Sequence, residues 1–158
     1  MNPDLLRGVV VLLLAVGQAA AAGLPDAMGA KHTIATRSAA LQTPIVPPGW
    51  AFAIWSLLFT GCLVFAVWQL TPAGSQSNFV RLVGWLAAGL FACNIAWEIY
   101  VPLRGLDWGS VAIITLELLL GVVIVLRIAG MGSIPASTYW LAAVPLLLLA
   151  GWITAATF

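Results

Sequence analysis

The chain has 158 residues, 63% hydrophobic and 7% charged, with six Lys and Arg against five Asp and Glu. A mean hydropathy of +1.09 excludes a soluble enzyme, a disordered chain and a nucleic-acid binder, because a water-facing surface needs about a quarter of its residues charged. The net charge of +1 supplies no field to steer an acidic partner, so the composition is that of an integral membrane protein.

A helix of about 20 apolar residues crosses the hydrocarbon core. Five stretches qualify, at approximately 5–24, 50–70, 82–103, 109–128 and 139–158. The expected fold is therefore an all-α integral membrane protein, a five-transmembrane-helix bundle forming a single domain over residues 1–158. The first stretch places Arg7 before GVVVLLLAVG and then QAAAAG. It reads either as a retained helix, packed through Ala15, Ala19 and Gly23 at every fourth position, or as a signal peptide with a small-residue cleavage site. The connection 25–49 is long and carries Asp26, Lys31, His32 and Arg37. His32 reads as a solvated side chain rather than a haem ligand, since nothing else supports ligation.

In the second stretch Phe52, Trp55 and Phe59 share one helical stripe, either as ordinary aromatic packing or as the wall of a flat pocket. In the third, Gly84, Ala88, Ala92 and Ala96 form a ladder for close helix contact, with Asn94, Trp97 and Glu98 on roughly the opposite side. Asn94 lies deep in the span and must be hydrogen-bonded, to another helix or to a ligand. Glu98 is expected to pair with Arg104. Glu117, near the middle of the fourth stretch, marks a functional site by default or a structural polar link, with Asn94, Ser56 and Thr60 as candidate partners. The fifth stretch ends at GWITAATF with no polar anchor, which predicts that the natural chain continues past Phe158 or that this end is covered.

Short connections make stretches two to five an up-and-down bundle of antiparallel neighbours. Arg7, Arg81 and Arg127 on one side balance Lys31, Arg37 and Arg104 on the other, so the positive-inside rule returns a tie. Of the eight tryptophans, Trp50, Trp68 and Trp108 stand at stretch ends with Tyr139, as interfacial anchors. Trp55, Trp97 and Trp152 lie deeper, where an indole N–H needs a partner, and should face the bundle or a cavity. Cys62 and Cys93 read as small hydrophobes, and one histidine with no Cys/His cluster leaves no metal site.

The run Pro47-Pro48-Gly49-Trp50-Ala51-Phe52-Ala53-Ile54-Trp55 resembles the PP-x-W-x-F signature, with a further Trp, that opens the second helix of the TspO/translocator-protein family, also called tryptophan-rich sensory proteins. Asn94-Ile95-Ala96-Trp97 resembles its N-x-x-W on the third helix, and Pro145 with Gly151-Trp152 and Thr157 its fifth-helix Pro and W-x-x-x-A-T segment. The resemblance covers roughly residues 45–158; the Trp and Lys-Pro usual before the PP motif are absent, and the Pro145-to-Trp152 spacing fits a divergent branch.

It implies a pocket between helices roofed by the long first connection. The ligands would be tetrapyrroles such as porphyrin or haem, or sterol-like and other lipids, held for sensing or transport. Trp50, Phe52, Trp55, Asn94, Trp97, Glu117 and Trp152 would line the site, and Lys31 or Arg37 would meet the acidic edge of a flat macrocycle. No catalytic residue and no obligatory cofactor is assigned. Membrane lipids, a homodimer or a larger assembly would be the partners, with no nucleic acid, and a bacterial inner membrane the location. Two other classes stay open: an accessory structural subunit of a photosynthetic or respiratory complex, and a small transporter working through Glu117.

Overall fold

Hydrocarbon offers the backbone no hydrogen bonds, so a spanning chain must satisfy its own N–H and C=O groups. The computed structural model describes residues 2–40 and 49–157, and among these all regular structure is helical. The helices are α1 (Pro3–Ala21), α2 (Leu24–Ala27), α3 (Ile34–Ala39), α4 (Ile54–Trp68), α5 (Pro72–Ser75), α6 (Asn78–Arg104), α7 (Trp108–Ala129), α8 (Ala136–Thr138) and α9 (Val144–Ala156). A 3-10 turn, Gly49–Ala53, leads into α4, and a π-helical turn, Tyr139–Ala143, leads into α9. Five stretches are long and apolar enough to cross a membrane: Pro3–Ala21, Trp50–Trp68, Asn78–Arg104, Trp108–Ala129 and Ala136–Ala156. The all-α, five-span architecture expected from hydropathy is present.

Local chemistry sets the helix ends. The Asn2 side chain accepts from Asp4 N at 3.0 Å and Ser77 from Phe79 N at 3.2 Å, which satisfies N–H groups that have no partner inside the helix. Asp107 accepts from Gly109 N at 2.9 Å and Ser110 N at 3.1 Å. α6 stops at Gly105, whose φ of 102° suits glycine. At the start of α9, Pro145 has no N–H to return to residue 141, and the preceding turn widens so that Val144 N reaches Tyr139 O.

The five spans close into a ring in the order α1, α6, α7, α9, α4 and back to α1. This differs from the expected chain-order bundle, because α1 lies between α4 and α6 although the last two are joined by a short connection. Phe65 of α4 and Phe91 of α6 meet across the interior, with ring centroids 6.5 Å apart. Small residues let α1 in. A Cβ on Gly8 would lie 2.5 Å from Leu70 Cδ2, one on Gly17 would lie 2.9 Å from Ile95 Cδ1, and one on Gly84 would lie 2.6 Å from Arg7 Cδ.

Neither predicted ladder is the whole contact. Ala15, Gly84 and Ala88 are buried, whereas Ala19, Gly23, Ala92 and Ala96 are exposed. In lipid an exposed alanine costs nothing, and the buried face of α6 runs instead through Val83, Ala87, Phe91, Asn94, Trp97, Glu98 and Val101. Trp50, Trp108 and Tyr139 are exposed, as interfacial anchors should be, but Trp68 is buried at the α4 end. The connection after α1 is not wholly irregular: α3 begins with a reciprocal Thr33–Thr36 cap and packs on α6. Arg37 Nη2 there donates to the Pro102 carbonyl at 3.3 Å, and His32 is exposed.

Close approach at Gly61 predicts a sharp mutational contrast. A Cβ there would sit 3.3 Å from Pro145 Cβ and 3.6 Å from its Cα, so Gly61→Leu should separate α4 from α9. The expected loss is about 1–3 kcal/mol, read as a lower thermal midpoint in detergent. Gly151 has nothing within 4 Å of such a Cβ, and Gly151→Ala should leave the midpoint unchanged or higher.

Asp107 supplies a pH test. The backbone N–H of Ser110, then the Tyr100 hydroxyl, holds its carboxyl below the usual value of 3.8. A depressed folded-state value gives stability that is present above the ordinary value and lost as pH falls through the folded one. Asp107→Ala should therefore lower the midpoint at pH 7, and the gap to the parent protein should shrink in strong acid.

Candidate functional site

Two groups of side chains line the interior of the ring. The first is aromatic. Phe52 comes from the 3-10 turn, Trp55 and Phe59 from successive turns of α4, and Trp152 from the facing surface of α9. Trp55 stacks on Phe59 at 5.3 Å with 29° between planes. Trp152 meets Trp55 edge-on at 6.0 Å and Phe52 at 6.1 Å, separations typical of favourable aromatic pairs. Both Trp55 Nε1 and Trp152 Nε1 are buried and have no hydrogen-bond partner among the described residues. Trp50 stands apart from this group at 79% exposure, and Pro47 and Pro48 lie outside the described residues.

The second group is polar and spans three helices. Asn94 Nδ2 of α6 donates to Gln18 Oε1 of α1 at 3.3 Å, and both side chains are fully buried. One turn further along α6 lies Glu98, and on α7 lies Glu117, exposed by 2% and 1% respectively. The helices that carry the two carboxyl groups, α6 and α7, pack on each other. Trp97, also buried, shares this face of α6. Gln18 Nε2, Asn94 Oδ1, Glu98 Oε2 and Glu117 Oε1 are buried without partners among the described residues.

Several expected pairings are replaced. Glu98 does not pair with Arg104, which is exposed at the helix end; the ion pair among the described residues joins Arg7 to Asp4 at 2.8 Å. Glu117 makes no hydrogen bond to Asn94, Ser56 or Thr60. The Thr60 hydroxyl donates to the Ser56 carbonyl at 2.7 Å instead, and both residues face outward. Gln18 was not singled out from the sequence, although a lone amide far into an otherwise apolar helix is itself a signal. Among the described residues no group of three His, Cys, Asp or Glu side chains could hold a metal.

A groove of about 220 Å³ runs along the outside of the ring, between α4 and the start of α9, lined by Leu57, Gly61, Val64, Trp140, Pro145 and Leu148 among others. It contains none of the predicted site residues. Ligand pockets for compact organic molecules run to about 300–1,000 Å³, so this shallow feature does not displace the interior groups as the candidate site.

The family model described as TSPO-like protein matches residues 5–158. The chain belongs to the TSPO-like protein family. The match begins within α1, so the Gln18 helix lies inside the family's extent and not only the 45–158 region that carries the motifs. No curated protein and no solved structure matches the chain. In this TSPO-like protein, Phe52, Trp55 and Trp152 come together on the α4–α9 wall, while Asn94 and Trp97 are buried on α6 and Glu117 on the neighbouring α7.

The amide pair generates a direct test. Replacing one partner strands a buried polar group at about 1–3 kcal/mol, whereas replacing both with apolar side chains removes the penalty. Gln18→Leu and Asn94→Leu should each lower stability in detergent, and the double variant should lose clearly less than the sum. A double-mutant cycle on unfolding midpoints measures the coupling.

Proposed function

We propose that this TSPO-like membrane protein binds a flat, largely apolar ligand, a tetrapyrrole or a lipid of similar shape, inside the helical ring for sensing or transport. The observation that carries this reading is the Trp55–Trp152 pair. Two touching indoles keep both N–H groups buried with no acceptor, and an unmet buried donor costs about 1–3 kcal/mol. A macrocycle with carboxylate edges supplies acceptors to these donors and a flat face to Phe52 and Trp55. Trp97 offers further aromatic surface, and Asn94 and Glu117 place hydrogen-bonding groups on the opposite wall. Differential binding at such a site needs no catalytic residue, and none is assigned.

The test is fluorescence quenching by protoporphyrin in detergent or nanodiscs. Saturable quenching is expected, and Trp55→Ala or Trp152→Ala should weaken apparent affinity about tenfold or more, the loss of an anchor worth roughly 1.4 kcal/mol. Trp108→Ala, at a position 87% exposed, should leave affinity unchanged. Equal affinity in all three variants would remove the aromatic wall from the site.

A further inference from the structure

Glu98 and Glu117 are the two glutamates of the chain, and both are buried in the membrane-spanning part of the bundle. They belong to the two arms of one helical hairpin. At about 1.5 Å rise per residue, measured from Leu106 at the tip, Glu98 stands about 12 Å, Glu117 about 16 Å and Asn94 about 18 Å into the bundle. Glu117 on α7 is therefore level with the gap between Asn94 and Glu98, which are one turn apart on the buried face of α6.

Among the described residues no basic side chain pairs with either glutamate. Arg7 is committed to Asp4, and Arg37 donates to the Pro102 carbonyl. Lys31, Arg81, Arg104 and Arg127 are exposed. Of the other elements in the ring, α4 contributes the Cys62 thiol, which lies beside Gln18, and α6 adds Cys93 near Glu117. α1 carries Asp4 and Arg7, paired with each other near its start, and α9 carries no titratable side chain.

Hydrogen-bond accounting then points to what is missing. With both glutamates ionised, the unpartnered atoms within this group of four side chains are three acceptors (Asn94 Oδ1, Glu98 Oε2 and Glu117 Oε1) and one donor, Gln18 Nε2. The deficit is of donors. Each proton taken up by a carboxylate converts one acceptor into a donor and removes one buried negative charge, so the same event corrects both imbalances. A basic ligand group could do so only while a ligand is bound; a proton can do so in the ligand-free protein.

We propose that Glu98 and Glu117 form a proton-sharing pair, a membrane-embedded site whose ligand is the proton, hydrogen-bonded into the Asn94–Gln18 amide pair. Uptake breaks one O–H bond of a hydronium ion, forms one O–H bond on one carboxylate and leaves a neutral water outside, so the site gains one positive charge. The two carboxyl groups titrate as a unit, because the proton on one is held in the field of the other. This site exists whether or not the aromatic wall binds a ligand.

Infrared spectroscopy of the ligand-free protein in nanodiscs tests it. Labelling with ¹³C-glutamate marks only these two side chains. The expected result is a protonated-carboxyl C=O band at pH 7 that moves with the label and on exchange into D₂O. In Glu98→Gln and Glu117→Gln, the band of the surviving glutamate should shift in position and in titration midpoint relative to the parent. Finding both glutamates as carboxylates at pH 7 overturns the proposal, as do surviving bands unmoved in either variant, which would mean independent groups. A band that emerges only when sodium and potassium are removed would assign the site to a metal cation instead. The parent measurement decides the protonation state even if a variant fails to fold.

Discussion

A polar side chain in hydrocarbon has no solvent to fall back on, and the Gln18–Asn94 hydrogen bond is where this chain meets that constraint. The amide on α1 and the amide on α6 each remove the other's desolvation penalty, and the bond draws α1 between α4 and α6. Glycine at positions 8, 17 and 84 permits the approach. In lipid, helix association relies on such packing and on interhelical hydrogen bonds, since tails are as apolar as leucine.

The ring order follows and divides the interior by chemistry. α4 and α9 are neighbours and carry Trp55, Phe59 and Trp152; α6 and α7 are neighbours and carry Asn94, Glu98 and Glu117. A chain-order bundle would have placed α4 directly on α6 and mixed the two sets. With α1 interposed, each wall keeps its own contacts.

The sequence was legible wherever the signal was one-dimensional. Span length and hydropathy need no neighbour, so five helices could be read directly, as could the exposed Trp108 and the need of Asn94 for a partner. Rotation about the helix axis was not legible. On α6 both faces are apolar, and only contact decides that Phe91 is buried while Ala92 is exposed; small residues spaced by four mark a surface able to pack, not one that does. Trp68 was misplaced for the same reason, since a chain end near the interface looks alike whether its ring points outward or beneath a neighbouring helix. The Glu98–Arg104 pairing failed because proximity along the chain ignores which side of the helix each occupies. Gln18 was hidden by a run of alanines that also suits a cleavage site.

The position of α1 has a consequence for biogenesis. Its hydrogen-bond partner lies 76 residues downstream, so α1 is synthesised well before the helix that locks it. Until α6 is made and inserted, Gln18 sits in the bilayer with no assigned partner, and α4 arrives beside a neighbour that is not yet fixed. Assembly is thus post-insertional for α1, which takes its place as the keystone between α4 and α6 only after α6 has been made.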